Sequence, residues 1–219
     1  MLDQSYHRLL SLSSPELVAF PLDDSSFADL VINQFSLLGN ELIELLKFRN
    51  GFFAFESALN LYPLGESLTE ICIQSWNESA LWRQSYGNLI DAKVLFFGQD
   101  AFGNQFGINC KEVILFFSET AEVEVLANSL FDWLGLLMDD WRGFTGYNLA
   151  HEWQKKNRSI KSGERLIPKF PFVLGGEYNV DNLYCGSILE AQKFRAGLAR
   201  QIVSIPDGTS VKVNIRGLC

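Results

Sequence analysis

Two histidines in 219 residues, four scattered cysteines and no long apolar run remove several kinds of protein at once. Cys72, Cys110, Cys185 and Cys219 form no C-x-x-C pair, and only His7 and His151 are present to complete a zinc site, so no structural metal is expected. A secreted disulfide framework would need an export signal, and MLDQSYHRLLSLSS carries an acid at position 3 and no basic stretch before an apolar block. The cysteines therefore read as free thiols, and the cytoplasm is the expected location. Apolar runs are broken by charge well short of the roughly 20 residues that span a bilayer, so no membrane helix is expected.

Catalytic sets are missing too. There is no G-x-S-x-G, and His151-Glu152 sits in HEWQK, where Lys155 takes the place of the second zinc-binding histidine of H-E-x-x-H. Asp139 and Asp140 are neighbours on a predicted helix, so their side chains diverge by about 100° and share neither a proton nor a metal. No enzyme, cofactor or metal is expected; an enzyme with a dispersed active site is the alternative that a deep polar pocket would reveal.

What the chain does hold is charge, unevenly placed. Residues 1–150 carry 7 basic and 20 acidic side chains, a net −13, whereas residues 151–219 carry 11 and 6, a net +5. An acidic body disfavours nucleic acid and favours a basic protein partner through electrostatic steering. Lys155, Lys156, Arg158, Lys161, Arg165 and Lys169 lack the interleaved aromatics of a stacking surface, so they read as a solvated linker folded against that body.

Periodicity places the elements. Helices are expected over 2–12 and 26–48, the second with Leu37, Leu38, Leu42, Leu45 and Leu46 on its apolar face and Asn50-Gly51 as its stop. FFAFESALNLYPLG predicts a hairpin. The segment 66–86 predicts one or two short helices. KVLFFG, QFGIN, EVILFF and EVEVLA predict four consecutive antiparallel strands. From 126 to 141 the period becomes helical, with Leu130, Trp133, Leu134, Leu137, Met138 and Trp141 as one stripe, and a second helical piece follows at 149–154. The expected organisation is an α+β domain over 1–155 with a central, mainly antiparallel sheet flanked by helices, a basic linker over 156–169, and a small strand-helix-strand extension over 170–219. About 50 residues cannot bury much core alone, so the extension is expected to dock on the body.

GQDAFGNQFGI, residues 98–108, lacks the lysine and hydroxyl of a phosphate loop, and a strand rather than a helix follows it. It predicts a hairpin turn in which Gly103 and Asn104 tolerate positive φ and Asp100 bonds nearby backbone.

The order of features resembles the SUKH superfamily, which joins bacterial immunity proteins against polymorphic toxins with Knr4-type regulators of the fungal cell wall. The likeness lies in LLKFRNGFFAF (45–55), VLFFGQDAFGNQFGI (94–108), EVILFF (112–117) and SLFDWLGLL (129–137), and it spans roughly residues 15–140. The resemblance implies an α+β domain that sets a sheet face, or a groove beside it, against a toxin domain, here a basic one such as a nuclease. Asp100, Phe102 and Asn104 at the hairpin tip, with Trp76 and Trp82, are the expected contributors to that surface. The alternative within the same superfamily is an intracellular interaction or regulatory scaffold with no toxin partner.

Overall fold

A computed structural model of the chain describes residues 4–21, 26–206 and 208–209. Six strands run in sequence order as an antiparallel sheet: β1 (Phe52–Ala54), β2 (Leu59–Leu61), β3 (Leu95–Gln99), β4 (Gln105–Ile108), β5 (Val113–Phe116) and β6 (Val123–Ala127). This is the expected α+β architecture, with the expected hairpin and four-strand meander continuous in one sheet. β3, β4 and β5 are buried at every position, as short runs of Val, Ile, Leu and Phe bounded by turn residues require when both faces are covered.

Helices α1 (Gln4–Ser11), α2 (Ser26–Phe48) and α5 (Leu130–Asp139) supply the first covering layer. α2 is two helical segments joined at Ser36, whose φ of 51° breaks the regular helix. Its buried face carries Phe35, Leu38, Leu42, Leu45 and Leu46, while Leu37, expected on that face, points outward. The stop at Asn50-Gly51 does more than end the helix. Asn50 Oδ1 accepts from Leu64 N (2.8 Å) and Asn50 Nδ2 donates to Leu64 O (2.7 Å), tying the helix end to the exit of β2. Gly51 has φ 69°, and a Cβ there would stand 2.5 Å from Pro63 N. Leu130, Trp133, Leu134, Leu137 and Met138 of the α5 stripe are buried as expected, whereas Trp141 starts the next helix and is half-buried. Trp133 lies edge-on to Phe97 at 5.2 Å and tilted on Phe106 at 5.4 Å, so α5 lies on the sheet face of those two rings. Ser129 caps it, accepting from Asp132 N.

The opposite face is covered by the segment after β2 and by α8 (Ile188–Ile202). That segment is α3 (Ile73–Trp76), a five-residue π turn over Ser79–Arg83, α4 (Gln84–Tyr86) and a 3-10 turn. The π turn buries the adjacent residues Trp82 and Arg83 together. Trp82 packs on Phe96, Tyr86 meets Phe116 edge-on, and Arg83 donates to the backbone carbonyls of Val94 and Asp91.

After α5 come α6 (Trp141–Thr145) and α7 (Tyr147–Lys156), then β7 (Glu164–Pro168) paired antiparallel with β8 (Leu183–Ser187), then α8. The stretch expected to be a solvated linker thus holds a strand. In it Arg165, Leu166 and Ile167 are buried. Arg158 pairs with Glu164 at 2.6 Å. The predicted final strand falls on residues 210–219, outside the described residues.

This C-terminal segment grips one end of the sheet. The turns 55–58, 100–104 and 117–122 all lie at that end. Gln154 Nε2 donates to Glu56 O, Ala101 N to Thr145 O, Leu166 N to Ala101 O, and Val173 N to Glu119 Oε2.

Candidate functional site

The hairpin tip that the sequence offers as a binding surface lies under this cap. Asp100, Phe102, Trp76 and Trp82 are buried and Asn104 is half-buried, so the expectation that the tip faces solvent is corrected. The local turn is as read. Asp100 Oδ1 accepts from Phe102 N (2.8 Å) and Asn104 N (2.9 Å), Asn104 Nδ2 donates to Asp100 Oδ2, and Gly103 has φ 82°. What turns the tip inward arrives from far along the chain. Arg195 Nη1 donates to Phe102 O at 2.6 Å, and Gln192 Nε2 donates to Gly103 O, also at 2.6 Å. Phe172 and Tyr178 pack against the Phe102 ring.

Around the tip runs a buried polar network. Gln105 Oε1 accepts from Tyr62 Oη (2.8 Å) and Trp76 Nε1 (2.7 Å), and Tyr86 Oη donates to Ser118 O (2.6 Å). The Gln99 amide is oriented with its oxygen on Arg165 Nε and Nη2, at 3.3 and 3.1 Å, and Arg165 also lies over the Phe53 ring. Burial lowers Arg165 to about 10, still cationic at neutral pH. Burial raises Asp100 to about 6, against the pull of its amide donors and Arg195. These bonds fasten the sheet to the cap. No group of three or more His, Cys, Asp or Glu able to hold a metal exists among the described residues. His151 Nδ1 meets Glu56 Oε2 at 2.8 Å, which engages it in holding the β1–β2 turn.

An open surface lies on the last strand of the large sheet. The β1 edge is covered: Ser14 N donates to Phe53 O (2.7 Å), Phe53 N to Ser14 Oγ, and Ser13 bridges Ala54. β6 ends the sheet with no strand beyond it among the described residues, and Val123 and Val125 are each about half exposed, at 52% and 53%. Beside it runs a groove of about 450 Å³ lined by Leu126, Ala127, Asn128, Phe131, Asp132, Gly135, Leu136 and Asp139. Its lining holds two carboxylates and no lysine or arginine. Glu124 projects toward the same side, since it stands in register with Leu115 and Phe106, and Phe106 packs on Trp133 of α5.

Sequence reasoning missed both the edge and the fasteners. The alternation of EVEVLA marks a strand with one wet face, a signal of the edge. The run R-L-I-P after Gly163 could have been read as a strand, whereas nothing local marks Gln192 and Arg195 as inward-facing.

A six-stranded antiparallel meander between helical layers, with a cap at one end, defines an α+β domain. The comparisons carry this further. Residues 37–135 match the SMI1 / KNR4 family (SUKH-1). That match spans 99 of the 219 residues and supports SUKH superfamily membership for this domain. The chain is also similar in fold to the crystal structure of Atu4351 from Agrobacterium tumefaciens, at 14% identity and a TM-score of 0.62 over 87% of this chain and 88% of that one. Coverage of 87% cannot be reached without part of the chain beyond residue 155, so the shared fold includes some of the cap. No curated protein matches the chain.

Proposed function

We propose that this chain is an immunity protein that binds a cognate basic toxin domain and neutralises it by occupying its surface. The observation that carries the reading is the pairing of the SUKH-1 match with an open, acidic sheet edge and groove formed by β6 and α5. The net −13 of residues 1–150 supports it, because a negative surface speeds encounter with a basic partner and selects against nucleic acid. Three of the eleven basic side chains of residues 151–219 are engaged locally, Arg165 and Arg195 inside the cap and Arg158 on Glu164. The β7–α8 segment serves as a fixed cap that shapes the sheet rather than as a second binding module. No helix among the described residues is long and apolar enough to cross a membrane, and the proposed partner is a protein.

The test is to mix the purified chain with a candidate toxin domain encoded beside it and follow complex formation by size-exclusion chromatography and calorimetry. A one-to-one complex that weakens as salt is raised is expected. Absence of a complex at both low and moderate salt would overturn the proposal.

A further inference from the structure

β6 has the geometry of a strand that awaits a neighbour. Phe117 N donates to Glu122 O at 2.9 Å and Phe117 O accepts from Ala121 N at 2.8 Å, a bulge with Ala121 at φ 61° that sets Phe117 and Glu122 in the bonded register. Pairing then alternates along the ladder, through Phe116 with Val123, Leu115 with Glu124 and Ile114 with Val125. In an antiparallel ladder the residues of the non-bonded pairs aim their N–H and C=O groups away from the partner strand. The backbone groups of Val123 and Val125 therefore point off the open edge of the sheet.

The side chains above and below that edge differ in kind. Val123 and Val125 share a face with Phe116 and Ile114, the face covered by the π turn, α4 and α8, and both are exposed there. Glu124 lies on the other face, the one that α5 covers and that carries Asp132 and Asp139 in its groove. Edge strands are commonly protected by a covering segment, by proline or by inward-pointing charge. The β1 edge is so covered, whereas β6 is open along Val123–Val125. A second copy of this chain is a poor occupant, because pairing β6 with itself would bring Glu122, Glu124 and their counterparts together. The fitting occupant is a basic extended segment.

We infer that the partner enters as a seventh strand on β6, an extended segment that alternates Lys or Arg, facing Glu124 and the Asp132/Asp139 groove, with β-branched or aromatic residues facing Val123 and Val125. This rests on the binding reading above and names the mode by which that surface works. Main-chain hydrogen bonds supply the affinity and the alternation supplies the selectivity, as in other strand-addition complexes. Gly135 sits on the groove floor, where a Cβ would meet nothing within 4 Å, so the groove can be filled from inside the helix without disturbing the core.

The test uses the full chain and a capped peptide, Lys-Val-Lys-Ile-Lys-Val-Lys, followed by amide NMR and hydrogen exchange. Expected are shifts confined to β6 and the outer face of α5, with slowed exchange at Val123 and Val125. N-methylating the peptide at the residues that bond β6 keeps its charge but removes two donors, and should weaken binding by roughly tenfold. Gly135→Trp should weaken it comparably while Gly135→Ala does not. No binding, equal binding of the N-methylated peptide, indifference to Gly135→Trp, or a β6-paired homodimer in the unmixed chain would each overturn the inference. The toxin complex separates the two proposals. If it forms equally well with Gly135→Trp and Val125→Lys, the edge mode falls and the immunity reading stands; if no complex forms with the native chain, the immunity reading falls, and the peptide alone decides whether the edge takes a basic strand.

Discussion

Gly103→Ala paired with Ile188→Val measures how firmly the cap holds the hairpin tip. Gly103 has φ 82°, where an L side chain is strained by roughly 1–2 kcal/mol. A Cβ there would also overlap Ile188 Cδ1, and forcing a methyl into a filled core costs about 1–3 kcal/mol. Gly103→Ala should therefore cost about 2–5 kcal/mol, the sum of the two effects. Ile188→Val alone removes the overlapping methyl from a buried side chain and should cost about 0.5–1.5 kcal/mol. In the double variant the overlap is gone, the nearest remaining atoms being Arg195 Nη1 at 3.1 Å and Ile188 Cγ1 at 3.5 Å, so only strain and the lost methyl remain. The two substitutions should couple favourably by about 1–3 kcal/mol in urea unfolding, against the roughly 0.3–0.5 kcal/mol within which independent sites add. Additive costs would refute the packing of α8 on the tip.

Other outcomes follow from single groups. Gly135→Ala, on an exposed helix face with open space around it, should stabilise by about 0.5–1 kcal/mol in thermal or urea unfolding. Asp100 titrates near 6 in the folded chain and near 3.8 when unfolded, so the folded state holds its proton more tightly and stability falls as pH rises through about 4 to 6. The shift of about two units corresponds to roughly 3 kcal/mol, and Asp100→Asn should lose this slope while the rest of the pH profile is kept. An unchanged slope would mean that Asp100 is hydrated.

Much of the fold is legible because its elements are set by local pattern. The strands KVLFFG, QFGIN, EVILFF and EVEVLA announce themselves by β-branched and aromatic content, and the α5 stripe by its period. The Asn50-Gly51 stop is legible too, since Gly51 needs a positive φ. The tip's surroundings were not, because hydrophilicity and glycine mark a turn but do not say what covers it. Gln192 and Arg195 reach it across about 90 residues, a contact that no local window contains. β7 was hidden by its buried cation: Arg165 counts as polar in any pattern, yet it is sheltered by the Gln99 amide and the Phe53 ring. The binding surface follows the same logic. Asp100 and Phe102 read as exposed, while the exposed edge at Val123 and Val125 reads as one strand among four until the sheet order shows it to be last.

Growth rescue tests the central claim most directly. A candidate toxin domain encoded beside this chain is expressed in a sensitive bacterium, with and without the chain. The native chain and Gly135→Ala are predicted to restore growth, and Val125→Lys and Gly135→Trp to lose protection at equal expression. Unabated killing in the presence of the native chain, with the chain folded and abundant, would contradict the account.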